Sequence, residues 1–307
     1  MKNIVVLGGS GMLGSMVADV LSREPEFKVT GTVRSLDLAE QFARSLPEVE
    51  WRLLDSAMPR ERLRQAIAGA EWIVNAIGIT KPYAHDDNPE QVENAIRVNS
   101  VFPYELAAAA HEIGARVLQI ATDCVYSGQK GLYTECSPHD ALDVYGKTKS
   151  LGEVLSPAVH CLRCSIIGPE PKAYVFLMEW FRRQPPGAQV NGFVNHQWNG
   201  VTTLHFARLC AGAIKADRPL PRLQHVIPSG SISKCDLLGV FAREFGRPDI
   251  RIVPVEAKTV MDRTLATNCE DSNRRLWSAA GYAEPPTVPE MVAELAGFNF
   301  RLEEQPR

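Results

Sequence analysis

No apolar run in this chain approaches the ~20 residues that a membrane-spanning helix needs, so no membrane anchor is expected. There is no basic stripe and no long run of like charge. Against 36 Asp and Glu stand 33 Lys and Arg, a net charge of −3 that argues against nucleic acid as a partner. Nor is there a disulfide framework, because seven cysteines are an odd number scattered through an enzyme-sized chain. Cys161 and Cys164 have a redox-like or metal-like spacing, but residues three apart point to opposite faces of a strand. No second cysteine pair or histidine cluster completes a zinc site, and no metal is expected. Repeats and low-complexity linkers are missing too. Met1, Lys2 and Asn3 run straight into a strand and leave no room for a signal peptide, so we expect a cytoplasmic protein. What remains is a chain of 307 residues, 45% hydrophobic and 22% charged, long enough for a sizeable core in one large domain or two joined ones.

Strand and helix patterns alternate up to residue 168, which predicts a doubly wound α/β fold. Residues 2–7 (KNIVVL) read as a buried strand and lead directly into Gly8-Gly9-Ser10-Gly11-Met12-Leu13-Gly14 and a helix. Glycines at this place let the backbone approach a pyrophosphate, and the helix start offers free N–H groups and a positive dipole end. FKVTGTV (27–33) reads as the second strand. Many NAD-binding units end this strand with a carboxylate for the adenosine ribose. Here it ends in Arg34 and Ser35, which suit a 2′-phosphate, so NADP(H) is preferred and NAD(H) is the alternative. VEWRLLD (49–55), EWIVNAIG (71–78) and ARVLQIA (115–121) read as further strands, with a long helix over 86–114. The fifth strand carries Thr122 to the carboxyl edge of the sheet, where ligands of open α/β sheets bind.

Tyr145 and Lys149 are four apart, on one face of the next predicted helix. A phenol is a poor acid or base at neutral pH. A neighbouring ammonium is expected to lower its pKa, and a hydroxyl at Thr122 can orient a carbonyl beside it. That is apparatus for moving a proton on or off an alcohol oxygen.

Gly8/Gly11/Gly14, Asn99, Thr122 and the Tyr145/Lys149 pair together resemble the extended short-chain dehydrogenase/reductase superfamily. The stretches ATDCVYSG, GLYTE, YGKTKSLGE and LRCSIIG are similar to its dTDP-4-dehydrorhamnose reductase branch. The resemblance covers residues 1 to about 168 and is weaker beyond. It implies a Rossmann-like parallel sheet for residues 1–168. A smaller substrate lobe would occupy 169–307, with a segment near 195–215 returning to the core. It implies that Asp55 meets the adenine, that Ala76, Ile77, Gly78 and Ile166 line the cofactor, and that Asn99 braces the active site. Lys149 would also hold the nicotinamide ribose.

Related nucleotide-sugar dehydratases carry Thr-Asp-Glu where this chain has Thr122, Asp123 and Cys124. Without that glutamate, dehydration loses its expected base, which favours reduction. Asp123, Cys124, Asn195 and Trp198 are the candidate substrate contacts, and Arg274 and Arg275 fit either a phosphate contact or a solvated helix face. The resemblance therefore implies NADPH-dependent reduction of the C4 keto group of a dTDP- or UDP-linked deoxysugar. Two alternatives stay open: an epimerase or dehydratase with tightly bound NAD, and a non-catalytic regulatory subunit like the relative that binds methionine adenosyltransferase. A homodimer through helices of the nucleotide domain is a further expectation.

Overall fold

A computed structural model describes residues 1–56 and 59–302. Apolar residues alternate with helix-forming stretches from the start. β1 (Lys2–Leu7) is followed by α1 (Met12–Ser22), β2 (Phe27–Val33), α2 (Leu36–Ser45), β3 (Glu50–Leu53), α3 (Arg60–Ala66) and β4 (Trp72–Asn75). The long helix expected over 86–114 is three segments in succession. α4 (Pro89–Ala95) and α5 (Phe102–Ile113) flank a π-helical turn, Ile96–Val101, that contains Asn99. β5 (Arg116–Ala121), α6 (Val144–Leu151) and β6 (Val159–Arg163) complete the alternation.

The second half uses shorter elements. β7 (Ile166–Ile167), α7 (Leu177–Arg182), β8 (Gln189–Phe193), β9 (His196–Trp198) and β10 (Val201–Thr202) precede α8 (Thr203–Ala216). Then come β11 (Leu223–His225), β12 (Ile232–Ser233), α9 (Lys234–Glu244), β13 (Arg251–Val255) and β14 (Met261–Asp262). α10 (Glu270–Ala279) and α11 (Val288–Ala296) end the fold.

The central sheet has seven strands in the order β11-β6-β5-β4-β1-β2-β3, all parallel. Its two faces are buried against separate cores. Ile4, Val6 and Val74 face α1 and α8, while Val5, Leu7 and Ile73 pack with α3 and α5. Cys161 and Cys164 fall into these opposite cores, and all seven cysteines are free, so the C-x-x-C spacing is packing material. Strand order reverses between β1 and β4, the switch point at which open sheets of this kind bind ligands.

After residue 195 the chain again packs on this sheet. α8 packs on α1, and β11 extends the sheet beside β6. The other strands form three small sheets, β10-β7, β13-β8 and β12-β9-β14, with α9 packed on β8, β13 and α7. Among the described residues, no helix is long and apolar enough to cross a membrane and no cluster of side chains could hold a metal ion.

Candidate active site

The glycine-rich loop turns directly off β1. Gly8 has φ +79°, the left-handed region that only glycine enters freely. A β-carbon on Gly14 would stand 2.2 Å from the Gly8 carbonyl oxygen, so α1 can press against the loop only with glycine there. Gly11 is the N-cap of α1; it offers no side-chain cap, and no acidic residue stands in the first turn. The first N–H groups, those of Met12 and Leu13 among them, are thus left for an anion. This cradle fits a dinucleotide pyrophosphate.

Other cofactor candidates line the same carboxyl edge. Arg34 and Ser35 follow β2 and are exposed, with the Ser35 hydroxyl accepting from the Leu38 amide as the N-cap of α2. Asp55 lies just past β3, half-buried. Ala76, Ile77 and Gly78 follow β4. The Asn75 carboxamide accepts from the Ile77 amide at 3.2 Å and donates to Gln119 Oε1 at 3.2 Å, which ties this turn to β5. Ile166 pairs with Val201 at the mouth of β6.

Sequence reasoning missed Lys172. It reaches the neighbourhood of Arg34 from the loop after β7, and burial and the Arg34 charge both lower its pKa. Buried Glu170 holds that loop, accepting from the amides of Val175 at 3.2 Å and Phe176 at 2.7 Å. Ala173 and Tyr174 between them take left-handed φ values of 71° and 54°, an uncommon conformation for residues with a β-carbon. The sequence around Lys172, Pro169-Glu170-Pro171-Lys172, carries no cofactor motif.

Thr122, at the end of β5, and Tyr145, in the first turn of α6, come together: Thr122 makes a hydrogen bond that lowers the Tyr145 pKa. Burial outweighs it and pushes the phenol well above its ordinary range, helped by the charges of Cys124 and Asp123. The expectation that Lys149 depresses this pKa is therefore corrected. Lys149 lies one turn on, but its ammonium donates to the Ile120 carbonyl at 3.0 Å and burial lowers its own pKa. Asp143 caps α6 through the Gly146 amide and binds Lys81 at 2.8 Å. Asn99 accepts from the Ile79 amide at 2.8 Å and donates to the Thr148 hydroxyl at 3.2 Å, joining the turn after β4 to the catalytic helix.

Asp123 is buried, and burial raises its pKa against the pull of Arg263 and Lys234. The Cys124 thiol is pushed up to about 12 by burial and by Asp123, which makes it an inert thiol rather than a nucleophile. Trp198 is buried beneath the Lys234 ammonium, 4.9 Å from the ring centroid. Asn195 is drawn elsewhere: its carboxamide donates to the Ala257 carbonyl at 2.8 Å and accepts from the Ala257 amide at 2.9 Å, a clamp between two backbone segments. Arg274 and Arg275 are exposed on α10, where Arg274 pairs with Glu270 at 3.7 Å.

Below this site lies a buried network that no local pattern announced. Arg163 holds Glu153 through two bonds and donates to the Tyr126 hydroxyl and His225. Tyr133 stacks on Tyr126 with ring centroids 4.2 Å apart, and Glu135 accepts from the His225 and Asn268 amides. Tyr133 and Glu135 are thus architecture that ties the loop after Thr122 to β11 and to the start of α10.

The chain is similar to known proteins. A dTDP-4-dehydrorhamnose reductase of Mycolicibacterium smegmatis is 24% identical over 193 residues, 61% of this chain and 48% of that protein. The chain spans about half the length of the first curated relatives it matches. A dTDP-4-dehydrorhamnose reductase of Bacillus anthracis, solved in complex with NADP, superposes with a TM-score of 0.72 at 16% identity over 96% of this chain and 98% of that one. UDP-glucuronic acid 4-epimerase of Bacillus cereus, solved with UDP-glucuronic acid and NAD, gives 0.74 at 15% identity over 97% and 99%. These likenesses show the fold, a Rossmann-like α/β architecture. The model of the RmlD substrate binding domain matches residues 1–273, and the chain belongs to that family.

Proposed function

We propose that this protein is an NADPH-dependent reductase of the C4 keto group of a nucleotide-linked deoxysugar, with NAD(H) as the secondary cofactor. One observation carries the reading: the Tyr145 phenol, its pKa raised by burial, and the Thr122 hydroxyl meet at the sheet edge, while Cys124 stands where a dehydration base would be needed. The residues present fit the cofactor, since the Gly8–Gly14 cradle, the uncapped start of α1 and Arg34 match a pyrophosphate and a 2′-phosphate. When bound, the nicotinamide supplies the hydride.

The chain's own groups do the rest. Thr122 orients the carbonyl oxygen, and Tyr145 gives it a proton as negative charge develops there. Lys149, anchored on the Ile120 carbonyl, holds the nicotinamide ribose. Relatives named dTDP-4-dehydrorhamnose reductase support the substrate class. Val101 of the π-helical turn, Tyr104 and Ile113 of α5, and Leu151 and Leu155 near the end of α6 are exposed, which supports a homodimer through these helices. Its cofactor and substrate are cytoplasmic metabolites, which supports a cytoplasmic place.

The test is NADPH oxidation with dTDP-4-keto-6-deoxyhexose and UDP-linked keto sugars, beside a Tyr145→Phe control. Turnover that the control abolishes is the expected result. Tight NADP(H) binding with no turnover of any keto sugar would overturn the reading.

A further inference from the structure

Two cations of the smaller lobe face the catalytic loop without a carboxylate of their own. β9 lies between β12 and β14, and both Ser233 and Asp262 stand opposite Gln197. Lys234 and Arg263 are the next residues on those chains, one on each side of β9: antiparallel β12 carries Lys234 toward His196 and parallel β14 carries Arg263 toward Trp198. The Lys234 ammonium sits 4.9 Å from the Trp198 ring centroid. Arg263 Nε donates to the Tyr126 carbonyl at 2.8 Å and Nη1 points to Cys124 Sγ at 3.7 Å. Those two bonds fix the guanidinium over the residues that follow Thr122.

The charges there do not cancel. Among the described residues, no carboxylate lies within ion-pair distance of Lys234 or Arg263, although both act on buried Asp123. Asp143, which also feels Arg263, is taken by Lys81 at 2.8 Å. Asp262 is turned away, accepting from the Thr264 amide and hydroxyl at 3.0 and 2.6 Å. Two cations against one buried carboxylate leave a net positive recess. Burial also lowers the Lys234 pKa to about 8 against the pull of Asp123 and Cys124, as expected of an ammonium short of partners. Half-buried cations of this kind are stabilised when an anion arrives, and the arginine fork suits two oxygens at once.

We propose that Lys234 and Arg263 hold an anionic group of the nucleotide sugar against the loop that follows Thr122 and so determine which sugar nucleotide this chain accepts. The proposal deepens the reductase reading and rests on its ligand class. Two groups of such a ligand share the required chemistry, the diphosphate and a carboxylate on the sugar ring.

The experiment compares the wild type with Lys234→Gln, Arg263→Gln and the charge-keeping Arg263→Lys. Calorimetric binding of dTDP and UDP-glucuronate is measured, together with KM and kcat on keto sugars with and without a ring carboxylate. NADP(H) affinity, read at the opposite lobe, reports folding; if the glutamine variants fail it, Arg263→Lys decides alone. We expect KM and the nucleotide-sugar Kd to rise about 10- to 100-fold with NADP(H) affinity unchanged. An equal loss for dTDP and for every sugar assigns the recess to the diphosphate. A loss confined to carboxylate-bearing sugars assigns it to the ring. Variants that bind every nucleotide sugar as the wild type does, or a wild type that binds none, would overturn the proposal. A wild type that binds nucleotide sugars but reduces none would sink only the reductase reading, because the binding arm still reads the recess.

Discussion

Gly152 lies so close to Asn99 that a β-carbon on it would stand 1.8 Å from the Asn99 carbonyl oxygen. The contact joins the end of the catalytic helix to the π-helical turn, and it is tied further by the Ser100 hydroxyl donating to the Thr148 carbonyl at 2.9 Å. The Gly152 carbonyl in turn accepts from Gln119 Nε2 at 2.7 Å. The neighbour in the way is backbone, which cannot rotate aside. Gly152→Ala should therefore cost about 1–3 kcal/mol as an overpacking change. It should also lower turnover by displacing Lys149 from Ile120. Denaturant midpoints and turnover check both effects, and a wild-type midpoint would mean that the two helices part freely.

Cofactor preference should respond to the cation pair at the adenosine end. Arg34→Ala and Lys172→Ala are each expected to raise the Kd of NADP(H) about 10- to 100-fold, the scale of a lost charged hydrogen bond. NAD(H) lacks the 2′-phosphate and should bind as before. Fluorescence titration of both cofactors decides it, and an equal loss for the two would show that the side chains only support the loop.

What could be read from the sequence was local. The glycine spacing, the strand end at Arg34 and the four-residue step from Tyr145 to Lys149 are patterns within one turn or one element, which is why a sequence can display them. The π-helical turn had no signal of its own, because Ile96–Val101 fits an ordinary helical pattern. Lys234 and Arg263 were hidden for a different reason. Each is unremarked among its neighbours and acquires a role only when β9 brings β12 and β14 together. The Lys149 expectation erred because spacing describes direction along a helix and says nothing of burial, which raises the Tyr145 pKa.

That raised pKa has a kinetic consequence. Reduction needs a protonated phenol, and a group titrating above its ordinary range stays protonated through neutrality. kcat for keto-sugar reduction, read with substrate saturating the Lys234 site, should be flat between about pH 6 and 8 and fall only in alkali. Burial lowers the Lys149 pKa, so the ammonium is lost earlier than a free lysine would be and sets the alkaline limb. Lys149→Arg should move that limb to higher pH if residual activity permits its reading. A fall in rate already below neutral pH would contradict the assignment of Tyr145 as the acid.

Stability should also depend on pH, through His225. Its Nε2 lies 2.7 Å from Arg163 Nη1, a group that can only donate, so Nε2 must accept. Nδ1 then carries the hydrogen and donates to the Ala266 carbonyl at 2.7 Å. A proton on Nε2 would set two donors against each other inside a buried network. Burial and the Arg163 charge accordingly lower the His225 pKa to about 4. The unfolded chain, with histidine near ~6.5, binds the proton first. Stability is therefore full above that value, declines as the pH falls toward the folded pKa, and is lost no further from this group below it. The decline should be on the order of 2 kcal/mol between about pH 7 and about pH 5. Urea unfolding of the wild type and His225→Gln at both values measures it. The variant should be less stable at the higher pH and should lose less on acidification. Parallel losses in the two proteins would assign the acid sensitivity to other groups.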